Sequence, residues 1–445
     1  MTAPARAPAL GERGVIGIDF GTTNTVVSWL DAERRAELVG FQTPTGPSAP
    51  FRSALAFHED PEDPRRRVVE AGPWAIDAFL FEPLETRLIQ SFKTYAASPL
   101  FQDTMILGRR YAFEDLLSAF LLRLRAYAGG ALDPGDLRCI VGRPVTFAGE
   151  NADPRLALER YDRALARMGF AEVRYALEPV AAALFFAREL SGDATVLVGD
   201  FGGGTSDFSI LRFERRDGRM VARALANAGV GVAGDAFDYR IIDNLVSPAL
   251  GKGSSYRAFD HRLPIPNRYF SAFARWEKLA LLRASRDMRD IRALVRSAEE
   301  PAKLAALVDI LDHNHGYALY RAVSALKEAL SAGPEAEFVF ETPQMHLRAN
   351  VERGEFERWI APELAAIAGA VDTCLARSGL GREALDKVFL TGGSSFVPAV
   401  RRIFEDRFAP ERIEGGAELV SIAAGLSYLG VQDDLDAWAA LAPAA

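Results

Sequence analysis

The sequence is poor in the residues that build covalent and metal-bound frameworks. Its 445 residues include only two cysteines, Cys139 and Cys374, which excludes a disulfide scaffold and any CxxC pair. There are five histidines, His58, His261, His313, His315 and His346. His313 and His315 stand two apart, a spacing that suits a metal on a strand. No third ligand is read beside them, so the pair reads as an exposed loop, and zinc catalysis and a metal cluster are excluded. Long apolar runs are missing as well. The longest, around Val180–Ala187, is too short to cross a bilayer, and Met1–Gly14 carries no apolar signal core. These absences lead to the expectation of a cytoplasmic protein. A basic surplus is also absent. The net charge of −8 argues against nucleic acid or an anionic membrane as the main partner. Lysine is scarce, and Lys93 is the only one before Lys252. The usual nucleotide and hydrolase signatures fail too. No GxGxxG follows a strand, no GxSxG occurs, and Gly251-Lys-Gly-Ser-Ser255 lacks the first glycine of a P-loop.

What is present is an ordinary globular composition, with 49% apolar and 25% charged residues. The length suggests two or three domains. Val15–Phe20 reads as a strand ending in an acid, followed by the turn Gly21-Thr-Thr-Asn-Thr25 and a second strand over Val26–Leu30. Phe41–Pro73 reads as loop with at most short strands. Helical periodicity covers Phe113–Tyr127 and Asp153–Met168, the latter closed by Gly169. Strands are expected at Leu137–Val141, Ala194–Asp200, Asp207–Phe213 and Val388–Leu390. Further helices are expected at Gly316–Ser331, Gly354–Ser378, Pro398–Phe408 (with Ser394 or Ser395 as its cap) and Leu419–Leu429.

One plan occurs twice. Asp19-Phe20-Gly21 and Asp200-Phe201-Gly202 each place an acid at a strand end and then enter a tight Gly/Thr turn. Recurrence half a chain apart points to two homologous lobes. Small residues let successive backbone N–H groups converge on a phosphate, and threonine hydroxyls add donors. A carboxylate beside phosphate requires a cation between them, and Mg²⁺ suits the all-oxygen donor set. Two such turns facing each other would clamp a polyphosphate, with Asp19, Asp200 and Asp207 sharing the cation. Thr391-Gly-Gly-Ser-Ser395 ahead of a helix is a third, weaker phosphate-type signal.

In combination these segments resemble the ATPase domain of the heat shock protein 70 (DnaK-type) family. That family lies within the actin-like ATPase superfamily, and the resemblance is nearest to its stand-alone YegD-like branch. The segments, in order, are Ile18–Thr25, Glu178-Pro-Val-Ala-Ala-Ala183, Asp200–Asp207, Gly234–Asp238 and Phe389–Ser395 with Val397-Pro398. The resemblance implies an α/β fold of two ribonuclease-H-like lobes, each with an added subdomain and with a nucleotide cleft between them. Residues 1–13 would be a flexible N-terminus. Lobe I would be 14–193, completed by 417–430. Lobe II would be 194–416, with an inserted helical subdomain at about 235–330. Residues 431–445 would form a short tail, without a peptide-binding domain.

The resemblance also implies ATP or ADP with Mg²⁺ as ligands. Gly21, Thr22 and Thr23 would form the first phosphate loop, and Gly202, Gly203, Gly204 and Thr205 the second. Asp19, Glu178, Asp200 and Asp207 would hold the metal. Lys93 would be the catalytic lysine, with Asp19, Glu178 and Thr205 assisting. Gly234, Lys327, Ser331, Gly392, Gly393 and Phe396 would serve the nucleoside. Two departures stand out. Where the family has Glu and Arg on the nucleoside-facing helix, this chain has Ser324 and Glu328, and Phe396 replaces a second stacking arginine. The implied activity is slow hydrolysis of ATP to ADP and phosphate, with lobe closure read by a protein partner. The alternatives are a nucleotide-binding pseudo-ATPase scaffold, a small-molecule kinase and a filament-forming protein.

Overall fold

The computed structural model describes residues 14–432, apart from 32, 64, 134, 150, 189, 191, 217–218, 274–281, 283–284 and 417–419. The expected N-terminal segment 1–13, residues 433–445 of the tail and the start of the last helix at Leu419 lie outside the described residues. The chain divides into two compact units. The first runs up to Ala233, resumes over Ala365–Ser395 and again from Val400. The second comprises Gly234–Leu364 and Phe396–Ala399.

Two sheets organise the first unit, and they share one topology. In the first, β1 (Gly14–Phe20) pairs antiparallel with β2 (Asn24–Leu30), which pairs antiparallel with β3 (Ala36–Leu38). On its other side β1 pairs parallel with β4 (Leu137–Arg143), which pairs parallel with β5 (Glu172–Leu177). In the second, β6 (Ala194–Phe201) pairs antiparallel with β7 (Ser206–Arg216), and β7 with β8 (Arg219–Val230). Parallel to β6 lies β9 (Lys387–Thr391), followed by β10 (Ile413–Gly415). The orders β5-β4-β1-β2-β3 and β10-β9-β6-β7-β8 therefore match strand for strand, including direction. This is the doubled ribonuclease-H-like α/β arrangement that the repeated motif suggests. Both central strands read as near-continuous apolar runs because helices and neighbouring strands cover them.

The helix Ser421–Leu429 packs on the first sheet. A Cβ at Gly17 would collide with the carbonyl of Ala423, and one at Gly425 with the carbonyl of Ala181 in the helix Glu178–Ala187. Ser28 seals the contact by donating to the Ala423 carbonyl at 2.6 Å. Only a helix rich in small residues can approach a strand this closely.

Several local expectations need correction. Phe41–Pro73 is mostly strand: Ala54–Glu59 is the middle of a three-stranded sheet between Arg67–Ala71 and Arg87–Gln90. Its core residues Ala54–Phe57 are fully buried, a run too short to be distinguished by pattern alone. The single helix over Gly354–Ser378 is two, Arg353–Trp359 and Ala361–Ser378, bent by 67°. The helix Pro398–Glu405 starts directly after Val397, so neither Ser394 nor Ser395 caps it. Both sit in the 3₁₀ turn Gly393–Phe396, and Ser395 donates to the Gly392 carbonyl at 2.6 Å.

The second unit is mainly helical, with hairpins at Ser255–Ala258/His261–Pro264 and Glu335–Thr342/Met345–Glu352. Its core includes Phe237, Ile241, Leu307, Ile310, Val323, Leu326 and Phe356. Here the pair His313/His315 lies on the turn between two helices, with His313 exposed and His315 half-buried. Asp309, four residues before His313 on the helix Pro301–Asp312, brings its carboxylate to both imidazoles. A side chain able to ligate a metal therefore does stand beside the pair, placed there by a helical i,i+4 step rather than by a strand. Among the described residues no single helix is long and apolar enough to cross a membrane.

Candidate functional site

The site grows from the carboxyl ends of the parallel strands, the usual ligand position in α/β sheets. Asp19 lies at the end of β1 opposite Val26, and Asp200 at the end of β6 opposite Asp207. Beyond each acid the turn closes identically. Gly21 N–H donates to the Asn24 carbonyl at 3.0 Å, and Gly202 N–H donates to the Thr205 carbonyl at 3.0 Å. The two hairpins thus equate Asn24 with Thr205 and Val26 with Asp207. Ser53 braces the first turn by donating to the Gly21 carbonyl at 2.7 Å, while Ser206 braces the second through the Val232 carbonyl at 2.7 Å.

The turns meet. A Cβ placed on Gly204 would lie 3.4 Å from the Thr22 hydroxyl and 3.8 Å from the Thr94 methyl. The third loop joins the second, because Thr391 pairs with Asp200 and Gly392, at φ 85°, packs against the Phe201 backbone. No side chain fits there. Gly393, by contrast, has open space around its Cα.

Four carboxylates and one ammonium converge at these strand ends. Lys93, on the 3₁₀ turn Phe92–Tyr95, sits with Nζ 2.8 Å from Glu178 Oε1, and their side chains are 10% and 6% exposed. Glu178 opens the helix Glu178–Ala187, where the helix dipole favours an anion. Asp200 and Asp207 are buried and Asp19 is part-buried. Burial, then the Glu178 charge, pushes Asp19 up to about 7 despite the pull of Lys93. The same two causes push Asp207 to about 7, against hydrogen bonds from Thr205 and the Thr146 N–H. Burial followed by Glu178, Asp19 and Asp207 drives Asp200 well above the usual carboxylate range. Burial alone would lower Lys93, but Glu178, Tyr161 and Asp19 outweigh it and raise it.

Such a cluster is short of positive charge. Asp207 Oδ1 accepts from the Thr146 N–H at 2.9 Å, whereas its buried Oδ2 has no hydrogen-bond partner. All donors are oxygens, which fits a hard cation such as Mg²⁺ and does not fit a soft one. A cation here would supply the compensation the buried acids lack and would polarise a bound phosphate. Asp19, Glu178, Asp200 and Asp207 are the residues able to hold it, directly or through water.

Among the remaining expected residues, Thr23 passes its carbonyl to the Ser53 N–H at 2.9 Å. Gly203 lies at the tip of the second turn. Gly234, Lys327, Ser331 and Phe396 belong to the second compact unit. Lys327 pairs with Asp238 at 2.6 Å, Ser331 donates to its own helix at the Lys327 carbonyl, and Phe396 is 59% exposed.

Sequence reading missed two residues of the cluster. Tyr161 is fully buried beside Lys93 with its hydroxyl unpartnered. Arg143 ends β4, pairs with Leu177 just ahead of Glu178, and has Glu178 as its nearby opposite charge. The signal for Arg143 was its position, a charged residue at the end of a buried strand.

The family model described as Hsp70 protein matches residues 99–254 and 292–425. The chaperone protein DnaK of Deinococcus deserti is 27% identical over 94% of this chain and 60% of its own length. The DnaK of Deinococcus radiodurans is 26% identical over the same shares, and that of Thermotoga petrophila 25% identical over 93% of this chain and 58% of its own. The chain therefore spans about 60% of the length of these relatives. With a family model covering more than half of its residues and two matching sheets that close on paired Gly/Thr turns, the chain belongs to the Hsp70 family.

Proposed function

We propose that this protein binds ATP with Mg²⁺ and hydrolyses it slowly to ADP and phosphate, and that the nucleotide state sets how tightly its two sheets close. A protein partner would read that closure, as befits a chaperone-like member of its family. The observation that carries this reading is the convergence of Lys93, Asp19, Glu178, Asp200 and Asp207 between two turns of the same design.

The residue roles follow from placement. Backbone N–H groups of Gly21–Thr23 and Gly202–Thr205 would cradle phosphate oxygens, with the Thr22 and Thr205 hydroxyls as further donors. Lys93 would stabilise charge building on the terminal phosphate, with its ammonium held in place by Glu178. Asp19 would orient the attacking water. Gly392 would let the chain pass close behind the second loop, so that Gly393 can border the nucleoside. Mg²⁺, when bound, would neutralise the phosphate charge beside the acids. Positioning and electrostatics suffice for phosphoryl transfer to water, and no nucleophilic side chain is required.

A second reading, a nucleotide-binding scaffold without turnover, is favoured by one feature. Glu328 and the exposed Phe396 stand where stacking arginines are expected. Single-turnover hydrolysis with radiolabelled ATP separates the two readings. Phosphate release that depends on Mg²⁺ and is lost in Asp200→Ala supports the ATPase. Tight binding without release supports the scaffold.

A further inference from the structure

We propose that Asp309, His313 and His315 form a binding site for a divalent transition metal of the zinc type, joining the end of one helix to the start of the next. Asp309 lies in the last turn of the helix Pro301–Asp312, and His313 and His315 lie on the turn that leads to the helix Gly316–Ala332. One ligand atom from each falls within 4.8 Å of the others. His313 Nδ1 is 2.8 Å from Asp309 Oδ1, and His315 Nε2 is 3.9 Å from Asp309 Oδ2. Tetrahedral zinc with bonds near 2.0–2.1 Å places its ligands about 3.3 Å apart, and the two separations to Asp309, 2.8 and 3.9 Å, fall on either side of that spacing.

The backbone is built to present these groups. Asn314, between the two histidines, adopts φ 56° in the left-handed region. The turn is pinned at both histidines, as His313 N–H donates to the Asp309 carbonyl at 3.0 Å and His315 N–H to the Ile310 carbonyl at 2.9 Å. The imidazole rings stand 5.9 Å apart.

An independent observation says that a cation is wanted. Asp309 is only 5% exposed, and its Oδ2 has no hydrogen-bond partner. It also sits in the last turn of its helix, where the dipole disfavours a negative charge. Among the described residues no lysine or arginine pairs with it; its ion partners are the two histidines. A buried carboxylate so placed is costly unless compensated. A metal would displace the proton between His313 Nδ1 and Asp309 Oδ1 and occupy the free Oδ2 side. Because His313 is exposed, the metal can enter from solvent and keep water in its remaining position. Two imidazoles and a carboxylate select zinc-like ions over Mg²⁺, whose preference is for oxygen alone.

The test is a titration of the full chain with Co²⁺ and Zn²⁺, in excess Mg²⁺ to occupy the carboxylate cluster. The expected result is one equivalent of Co²⁺ bound with a visible ligand-field spectrum, and a rise in melting temperature with Zn²⁺. Both should be lost in His313→Ala and in His315→Ala, and both retained in Asp200→Asn. The histidines lie on the turn outside the buried core, so folding of their variants can be verified by a cooperative melt and unchanged circular dichroism without metal. Absence of Co²⁺ binding, or binding unchanged in both histidine variants, would overturn the site.

Discussion

Lys93 Nζ rests 2.8 Å from Glu178 Oε1 across 85 residues of sequence, and this pair sets the electrostatics of the strand ends. It is one ammonium against four acids, since Asp19, Asp200 and Asp207 all feel the Glu178 charge. Lys93→Ala should therefore have two effects. Single-turnover ATP hydrolysis should fall by about 10²–10³-fold, the scale for losing one stabilising charge, with nucleotide affinity little changed. In the absence of Mg²⁺ the variant should also melt earlier, because Glu178 is left buried and unpaired. An unchanged hydrolysis rate would assign the catalytic charge to another residue.

The raised acids predict a pH dependence whose sign can be derived. Asp19 and Asp207 keep their protons up to about 7 in the fold, whereas ordinary carboxyls release theirs near 3.8. Between those values the folded chain binds more protons than the unfolded one, so stability without metal should fall as pH rises from about 4 to 7. The part of the penalty due to these two acids is complete above about 7. Mg²⁺ requires the ionised acids, so its affinity should climb over the same range, with proton release on binding. Thermal melts with and without Mg²⁺ on either side of pH 7 check this. Metal-free stability that rises through the window would contradict it.

Asp200→Asn should separate binding from folding. It removes a buried charge from among like charges and should raise the metal-free melting temperature, while abolishing the Mg²⁺-dependent shift. Differential scanning calorimetry reads both. A variant that melts earlier and still responds to Mg²⁺ would remove Asp200 from the cluster.

Neighbouring glycines in the third loop should differ sharply. At Gly392 a side chain would meet the Phe201 backbone, and the φ of 85° is itself strained for other residues. Gly392→Ala should cost about 1–3 kcal/mol or more. Gly393→Ala, with open space around it, should stay within about 0.5 kcal/mol. Urea unfolding of both variants is the check.

Among the described residues the Arg143 side chain has no hydrogen-bond or ion-pair partner, and Glu178 is its nearby charge. If it meets the terminal phosphate, Arg143→Ala should weaken ATP about tenfold, as for a charged hydrogen bond, and leave ADP nearly unaffected. Parallel titrations with the two nucleotides measure this, and equal losses would refute it.

Much of this architecture was legible in the sequence because it rests on local signals. The duplicated Asp-Phe-Gly turns, the apolar strands that end in acids and the helix Phe113–Tyr127 all carry their pattern within a few residues. The matching strand order of the two sheets follows from that duplication. Short strands such as Ala54–Glu59 were lost among turn residues, and the break at Ile360 lies inside an unbroken apolar period. Pairings made by tertiary structure were harder still. Nothing near Lys93 in sequence names Glu178, and a charged residue at the end of a buried strand is the one local signal at Arg143, without naming its neighbours. Asp309 was within reach of a helical i,i+4 reading of His313 that a strand-based view of the His pair passed over.

The most direct measurement is calorimetric titration of the purified protein with ATP, with and without Mg²⁺, beside the Asp200→Ala variant shown to be folded. The account predicts binding that requires Mg²⁺ and disappears in the variant. No binding by the folded wild-type protein, or binding indifferent to both Mg²⁺ and Asp200, would contradict it.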